Sequence, residues 1–567
     1  LSKHPRPPDH PDHPDHPRPP DHLTIGFYVE DNPTGLTVTK PVSNGISGTV
    51  VIPSTMYGMP VTEIKNQAFK DCTSLTEAYV AGNVTSIGAK AFYGCTGLTQ
   101  VTIQNGGLAR IEPETFYGCH SLTTIYLPNT LTSIGYDAFR NCYSLTGIDL
   151  PSGLTGIESG VFYNCSTLSS LTIPGSVTTI EHYVLSGCNN ITSLTVPFLG
   201  NGSNITHLGY LFGCPSYVNQ GASFPNLKSV GVTGGSSIAD NAFRDCGGLT
   251  SISLSSSVTS IGVNVFDGCT QLASVYLPAI TSIDTAAFKN CKSLTGITLP
   301  SGVTSIEANT FYGCDGLKSV NMLGNLASIG SNAFDGCSGL TSFTIPYSVT
   351  SVGLGAFANC SASLAISWIY NPALTAANFS SNLTQVSVQF GITSISANAF
   401  KNCSKLPSLE IPKTVASIGS DAFSNCSPSL SITWEYNPVL TAANFSPYLK
   451  QVTVPVGVTA VTTNAFQNCN KLTSVTILDA VTSIGQNAFY GCSGLSAFTL
   501  PQSLASIGPN AFYGCSGLSA FTLPQSLASI GPNAFYGCNG LSALTISQEL
   551  EKLRRKNLRR AVGHNKG

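Results

Sequence analysis

CKSLTGITLPSGVTSIEANTF, residues 291–311, is the stretch whose reading decides the fold. Apolar residues stand at Leu294, Ile297, Leu299, Val303, Ile306 and Phe311, with Cys291 at the head and Pro300 in the middle. The I-x-L piece alternates apolar and polar residues, the period-2 mark of a half-buried strand. Pro300 then removes an amide and ends the ladder on that side. V-T-S-I predicts a second short extended piece, followed in most copies by a Gly that permits a bend. The A-F-x-x-C segment is too short for an assignment beyond a turn or a single helical turn.

The same unit recurs along the chain. The 19 cysteines fall mostly 22 to 24 residues apart, and a Phe precedes most of them by three positions, with Leu185 and Leu211 as exceptions. Steps of 43 from Cys360 to Cys403 and from Cys426 to Cys469 each hide a coil without Cys, marked by Phe379 and Phe445, which makes 21 copies. A period in this range signals a solenoid, because one unit cannot bury its own apolar residues and stacked units can. Parallel strands at roughly 4.8 Å per coil predict an arc of about 100 Å, with a parallel β-sheet on the concave face and short turns or single helical turns on the convex face.

The unit, written L-T-S-I-x-L-P-x-x-V-T-S-I-G-x-x-A-F-x-x-C, resembles the BspA-like, treponemal-type leucine-rich repeat of bacterial and anaerobic-protist surface proteins. Gly48-Thr49-Val50-Val51-Ile52-Pro53, Pro60-Val61-Thr62-Glu63-Ile64 and Ala68-Phe69 look like that family's usual opening coil. The resemblance covers about residues 45 to 547. It implies a leucine-rich-repeat arc, exposure at a cell surface or secretion, and binding of host or matrix proteins, with no catalytic residues. No export signal or anchor is visible, so a cytoplasmic location is the alternative.

Composition narrows the function classes. Of 567 residues 10% are charged, and 26 basic groups against 28 acidic ones leave −2. Such a chain lacks the clustered Lys/Arg that nucleic acid demands, and no run of 18 apolar residues predicts a membrane helix. No C-x2-C or C-x4-C pair offers zinc spacing, and every Cys fills one slot, so reduced structural thiols are expected. Only His120, His182 and His207 lie in the repeat body, none with a partner at metal spacing. There is no G-x-S-x-G, P-loop or H-E-x-x-H. No enzyme, metal or cofactor is expected.

Four segments follow. Residues 1–22 are a Pro/His/Asp low-complexity tail, whose His10, His13 and His16 share an edge in polyproline II, a weak-metal reading set against a disordered tail. Residues 23–44 read as an N-terminal β cap, 45–547 as the solenoid, and 548–567 as a basic C-terminal helix or tail. The rhythm breaks at 197–226, a candidate binding loop or a tolerated insertion. Trp368 and Trp434 sit in matching contexts 66 residues apart, and 490–512 repeats identically as 513–535.

A partner would read the outward positions of the I-x-L strands. Thr is the background there, as a β-branched residue suits strands. The exceptions predict a protein-binding patch: Tyr79 and Tyr126 two coils apart around Thr102, Asp149 next in line, and Glu77, Gln100 and Thr124 in the adjacent column. Tyr276 with Asn321 is a second candidate. A remote alternative reads Thr476, Thr499, Thr522 and Thr545 as a flat ice-binding array. The leading expectation is a non-enzymatic adhesion protein that binds an extracellular-matrix or host glycoprotein through the concave face. An intracellular scaffold on the same repeat is the runner-up.

Overall fold

The computed structural model describes residues 26–42, 46–200, 205–378, 382–478, 480–541 and 543–545. The low-complexity tail, the basic C-terminal stretch and Phe379 lie outside the described residues. The chain is a β-solenoid of about 21 turns of ~23 residues, with parallel sheets and almost no helix. It divides into two compact units, residues 1–324 with 336–339, and residues 325–335 with 340–567.

The first unit begins with β1 (Phe27–Asn32) and β2 (Gly35–Pro41), an antiparallel hairpin. β3 (Gly48–Ile52) and β4 (Thr55–Met56) follow, and β4 pairs antiparallel with β5 (Met59–Ile64), which lies parallel to β2. From there two strand columns alternate. The longer strands β6 (Leu75–Val80), β8 (Gln100–Ile103) and β10 (Thr124–Tyr126) stack on β3, and the two-residue strands β7 (Ser86–Ile87) and β9 (Arg110–Ile111) belong to the second column. Partners in both columns are homologous residues of successive coils, such as Tyr79 with Thr102 and Ser133 with Gly156.

The expected strand at Ile148-Asp149-Leu150 is absent, and the first long sheet ends at β10. Gly147 and Asp149, both poor strand formers, stand together there, whereas the otherwise similar T-G-I-T-L at 295–299 keeps its strand with Thr298 in place of Asp. A five-stranded sheet then runs from Ser170–Thr172 to Ser274–Tyr276, and a pair joins Gly296–Leu299 to Ser319–Met322.

The third side of most described coils is a turn, with single 3-10 helical turns at Leu208–Tyr210, Ala376–Asn378 and Ala442–Asn444. Two residues per coil, one and five before the Cys, adopt positive φ: Gln67 and Asp71, Lys90 and Gly94, Asp137 and Asn141, Asn264 and Gly268. This explains why Asn and Gly fill those slots, since they tolerate the left-handed region best. The resulting turn aims three amides at the next coil: Gln67 N–H to Ala89 O (3.0 Å), Phe69 N–H to Ala91 O and Asp71 N–H to Tyr93 O (both 2.7 Å).

Inside, Phe rings stack coil on coil, from Phe69–Phe92 at 5.2 Å through Phe116–Phe139 at 5.5 Å, and again at Phe266–Phe288 at 5.1 Å. Most thiols donate to the Phe carbonyl of the preceding coil, as in Cys95 to Phe69 (3.0 Å) and Cys314 to Phe288 (3.0 Å). The Thr of V-T-S-I forms a further ladder, with Thr155 Oγ1 donating to Thr132 O and Thr178 Oγ1 to Thr155 O. A buried polar group costs little only when it is bonded, and these ladders satisfy theirs by repetition.

The second unit repeats the scheme with one departure. Ser367 pairs with Gln385, and Thr433 with Gln451, a step of 18 residues rather than 23. In these short coils the buried rings of Trp368 and Trp434 meet the Phe of the following Cys-bearing coil, Phe400 at 5.6 Å and Phe466 at 5.5 Å. Tyr370 and Tyr436 accept the amides of Ser396 and Thr462 on their hydroxyls, both at 2.8 Å.

Candidate functional site

The long-strand face of the first unit brings six of the expected residues together. Glu77, Gln100 and Thr124 are register partners in one row, and Tyr79, Thr102 and Tyr126 in the next row along the strands. Alternate residues of β6, β8 and β10 face the same way, so the core takes Ala78, Val101 and Ile125 while the two rows lie on the other face. Glu77 is held from β3 by the Thr49 hydroxyl at 3.2 Å.

The face is more closed than the alternation rule predicts. Tyr79 is 8% exposed and Thr102 is fully covered, with its hydroxyl buried and unbonded among the described residues. Thr102 is therefore a spacer and not a residue a partner can reach; the large side chains flanking it on both neighbouring strands account for its burial. Burial first, then the Glu77 carboxylate and the Tyr126 phenol, push the Tyr79 hydroxyl above its ordinary pKa. Tyr79 thus stays a neutral hydrogen-bonding group set in an apolar body, as interface tyrosines are.

The remaining candidates do not join this row. Asp149 is exposed beyond β10, outside any strand. Tyr276 is 71% exposed and ends its sheet opposite Ser253, while Asn321 pairs with Thr298 in a separate two-stranded sheet. In the second unit, Thr476 faces Thr453 and Thr522 faces Thr545, but Thr499 lies just past the strand Ala497–Phe498. Among the described residues no continuous ladder carries the Thr column expected for an ice-binding array.

Sequence reasoning missed an aromatic strip on the turn side of the first unit. Tyr93 and Tyr117 stack at 4.7 Å, and the Arg140 guanidinium lies 4.2 Å from the Tyr163 ring centroid. All occupy the position two before the Cys, a column visible in the repeat once that side is known to be exposed turn.

The described part of the irregular stretch between 197 and 226 includes the 3-10 turns Leu208–Tyr210 and Gln220–Ser223. Ser193 pairs with Ser229, a step of 36 residues, yet the ladder continues in register through Val196 and Val232. The loop is pinned by Gln220, which is buried. Its Oε1 accepts the Gly209 amide at 2.7 Å, and its amide nitrogen donates to the carbonyls of Arg244 (2.8 Å), Asn241 (3.3 Å) and Ala242 (3.4 Å).

The repeat itself decides the family, because a model of the BspA type leucine-rich repeat region matches residues 62–192, 236–363, 375–444 and 442–560, well over half of the chain. The chain belongs to the BspA-type leucine-rich repeat family. None of the curated proteins matches it. Among solved structures it is similar to a leucine-rich repeat protein from Bacteroides ovatus, at 21% identity over 96% of this chain and 98% of that one, TM-score 0.29. It is also similar to a Treponema pallidum leucine-rich repeat protein, at 26% identity over 45% and 91%, TM-score 0.26. A third is a leucine-rich cell surface protein from Faecalibacterium prausnitzii, at 20% identity over 97% and 99%, TM-score 0.19. Membership of this repeat family fits a role in protein interaction. No helix among the described residues is long and apolar enough to cross a membrane.

Proposed function

We propose that this BspA-type protein is a non-enzymatic adhesion protein, at a cell surface or secreted, that binds a matrix or host glycoprotein through its long-strand face. The observation that carries the reading is the in-register row Tyr79–Thr102–Tyr126 beside Glu77–Gln100–Thr124. The Tyr126 phenol and the exposed edge of Tyr79, two coils apart at roughly 10 Å, supply rigid contact at low entropy cost, and the adjacent Gln, Glu and Thr supply hydrogen bonds. Tyr276 and Asn321 form a secondary contact. As part of the same reading, the hairpin Phe27–Pro41 caps the first coil, and nucleic acid is not a partner.

Few charges take part, so raising the salt concentration is expected to change binding little. In surface plasmon resonance against a panel of purified matrix glycoproteins, Tyr79→Ala with Tyr126→Ala should weaken the positive interaction at least about tenfold, the scale of an interface hot spot. Circular dichroism on all variants controls for damage to the fold. Unchanged affinity in a folded double variant would remove the row from the interface.

A second reading is an intracellular scaffold. The free and mostly buried thiols favour it, as persistent free cysteines are commonest in reducing compartments. Protease shaving of intact source cells separates the two: loss of the solenoid places it outside, and full protection places it inside.

A further inference from the structure

The second strand column contains a worked example of how this fold holds a guanidinium. Arg110 at the end of β9 reaches Glu112 in its own coil (Nε to Oε2 3.2 Å), the Ser133 hydroxyl in the next (Nη1 to Oγ 3.2 Å) and Glu158 in the one after (Nη2 to Oε1 2.6 Å). The middle coil has Gly135 after its Ser-Ile pair, so no side chain stands between the two carboxylates. Hydrogen bonding to Glu158 is the leading reason that the Arg110 pKa is raised.

A related arrangement without the arginine lies farther along the first unit. Ser237, Ser260 and Ser282 are register partners in that column, with Gly262 after the middle Ser-Ile pair. Asp284 takes the place of Glu158, whereas Ala239 holds the place of Glu112; Asp240, the next residue, accepts the Val263 amide on Oδ1 at 2.8 Å and keeps its second carboxylate oxygen unbonded among the described residues. Ser237 occupies the place of Arg110, and a recess of about 450 Å³ opens where the guanidinium would lie. Ser237, Asp240, Ser260, Gly262 and Asp284 line it, and the irregular loop adds Thr206, His207 and Tyr217.

His207 shows that the loop completes the recess. The side chain is 7% exposed, with Nδ1 3.3 Å from Gln220 Oε1. That oxygen can only accept, and the three carbonyls around the Gln220 nitrogen fix which end of the amide is which. Nδ1 therefore carries the proton, and Nε2 is left as a lone-pair acceptor that takes no hydrogen bond from the described residues. Burial lowers the pKa of the ring, which keeps it neutral.

We propose that this recess binds a guanidinium group, presented as an arginine side chain by a protein partner. Asp240, Asp284 and His207 are among its lining residues, which include no Lys or Arg. Arg244, the nearby cation, is engaged with the Tyr217 ring at 5.5 Å and with Asp267 at 3.6 Å. A planar cation with five donors matches distributed acceptors better than an ammonium point charge does. The carboxyl of Asp284 is raised by burial and then by the like charges of Asp240 and Glu307, a repulsion that a bound cation relieves. No trio of His, Cys, Asp and Glu among the described residues is placed to hold a metal ion.

The site is separate from the tyrosine row and its test needs no identified partner. Nα-acetyl-arginine amide is titrated into the full chain while the His207 imidazole resonances, assigned with His207→Gln, are followed by NMR. Saturable shifts are expected, with Nα-acetyl-lysine amide binding more weakly and with affinity falling as salt rises. Asp284→Asn, which removes a carboxylate that accepts no hydrogen bond from the described residues, should weaken binding about fivefold. Ser237→Arg should fill the recess from within and abolish it. Absence of His207 shifts, equal affinity for the lysine analogue, or undiminished binding by folded Asp284→Asn or Ser237→Arg would each overturn the assignment.

Discussion

Between pH 8 and pH 10.5 the urea midpoint of this protein is expected to collapse, and the cause is the cysteine column. Burial pushes the thiol of Cys188 up from 9.0 to about 12, and those of Cys314 and Cys469 likewise to about 12. Burial also raises Cys119, Cys142, Cys165, Cys246 and Cys291 well above 9.0. An unfolded chain loses these protons near pH 9, while the folded chain keeps them until its own higher pKa is reached. Above pH 9 the native state therefore binds more protons than the unfolded state, and stability falls as pH rises. A thiol shifted from 9.0 to about 12, such as Cys188, gives up ~1.4 kcal/mol by pH 10. Several such thiols act together, so the sum is comparable with a whole domain's stability of about 5–15 kcal/mol.

Tyr and Lys also titrate in this range, so thiolate absorbance must be read alongside circular dichroism. A thiolate step that coincides with loss of structure is expected. A solenoid that keeps its midpoint to pH 10.5 would contradict the account. At neutral pH the same burial predicts that iodoacetamide labels only Cys214, Cys360 and Cys538, the partly exposed thiols, and reaches all 19 cysteines in denaturant.

How far residues announce these features depends on repetition. The spacing of Cys and Phe located the coils, because a fixed period puts equivalent residues in register and the observed pairs Ser260–Ser282 and Thr298–Asn321 follow directly. The third side was less legible. Asn and Gly recur at the two positive-φ positions, yet A-F-x-x-C read as a turn or one helical turn because the amide ladder between coils has no side-chain signature. Alternation placed Tyr79 and Thr102 on the outward face but does not reveal that an outward residue is covered by its neighbours. The strand missing at Asp149 turns on two weak strand formers in one coil, a local effect that the period conceals. Arg110 and the recess beside His207 were invisible for a different reason: their carboxylates are 46 and 44 residues apart in sequence and meet only through stacking, as Glu112–Glu158 and Asp240–Asp284 show.

Gln220 has no repeat position to compare with, and its replacement is expected to have the largest local effect in the first unit. In a regular junction the amide just before the Cys reaches the carbonyl two before the next Cys, as Asp71 reaches Tyr93. In the irregular coil Gly213 turns its amide back to Tyr210, and the Arg244 carbonyl is served by the Gln220 side chain at 2.8 Å. A side-chain amide has both a donor and an acceptor end, so it substitutes for a missing peptide group and ties the loop at Gly209 as well. Gln220→Leu keeps the bulk, leaves the Gly209 amide and His207 Nδ1 without partners, and leaves the Arg244 carbonyl only the weak Cys246 thiol donor at 3.8 Å. At ~1–3 kcal/mol for each buried group left unpaired, local destabilisation of about 3–5 kcal/mol is expected. Because coils contact only their neighbours, the damage should appear as protease cleavage within 205–228 and faster alkylation of Cys214, with the second unit unaffected. Gln220→Glu separates packing from polarity. A carboxylate accepts from Gly209 but faces the carbonyls of Asn241, Ala242 and Arg244 with no proton to offer, so its folded pKa must rise. Its penalty should therefore shrink as pH falls toward that value, while the penalty of Gln220→Leu stays level. Equal cleavage of wild type and Gln220→Leu would mean that the loop is held by contacts other than this amide.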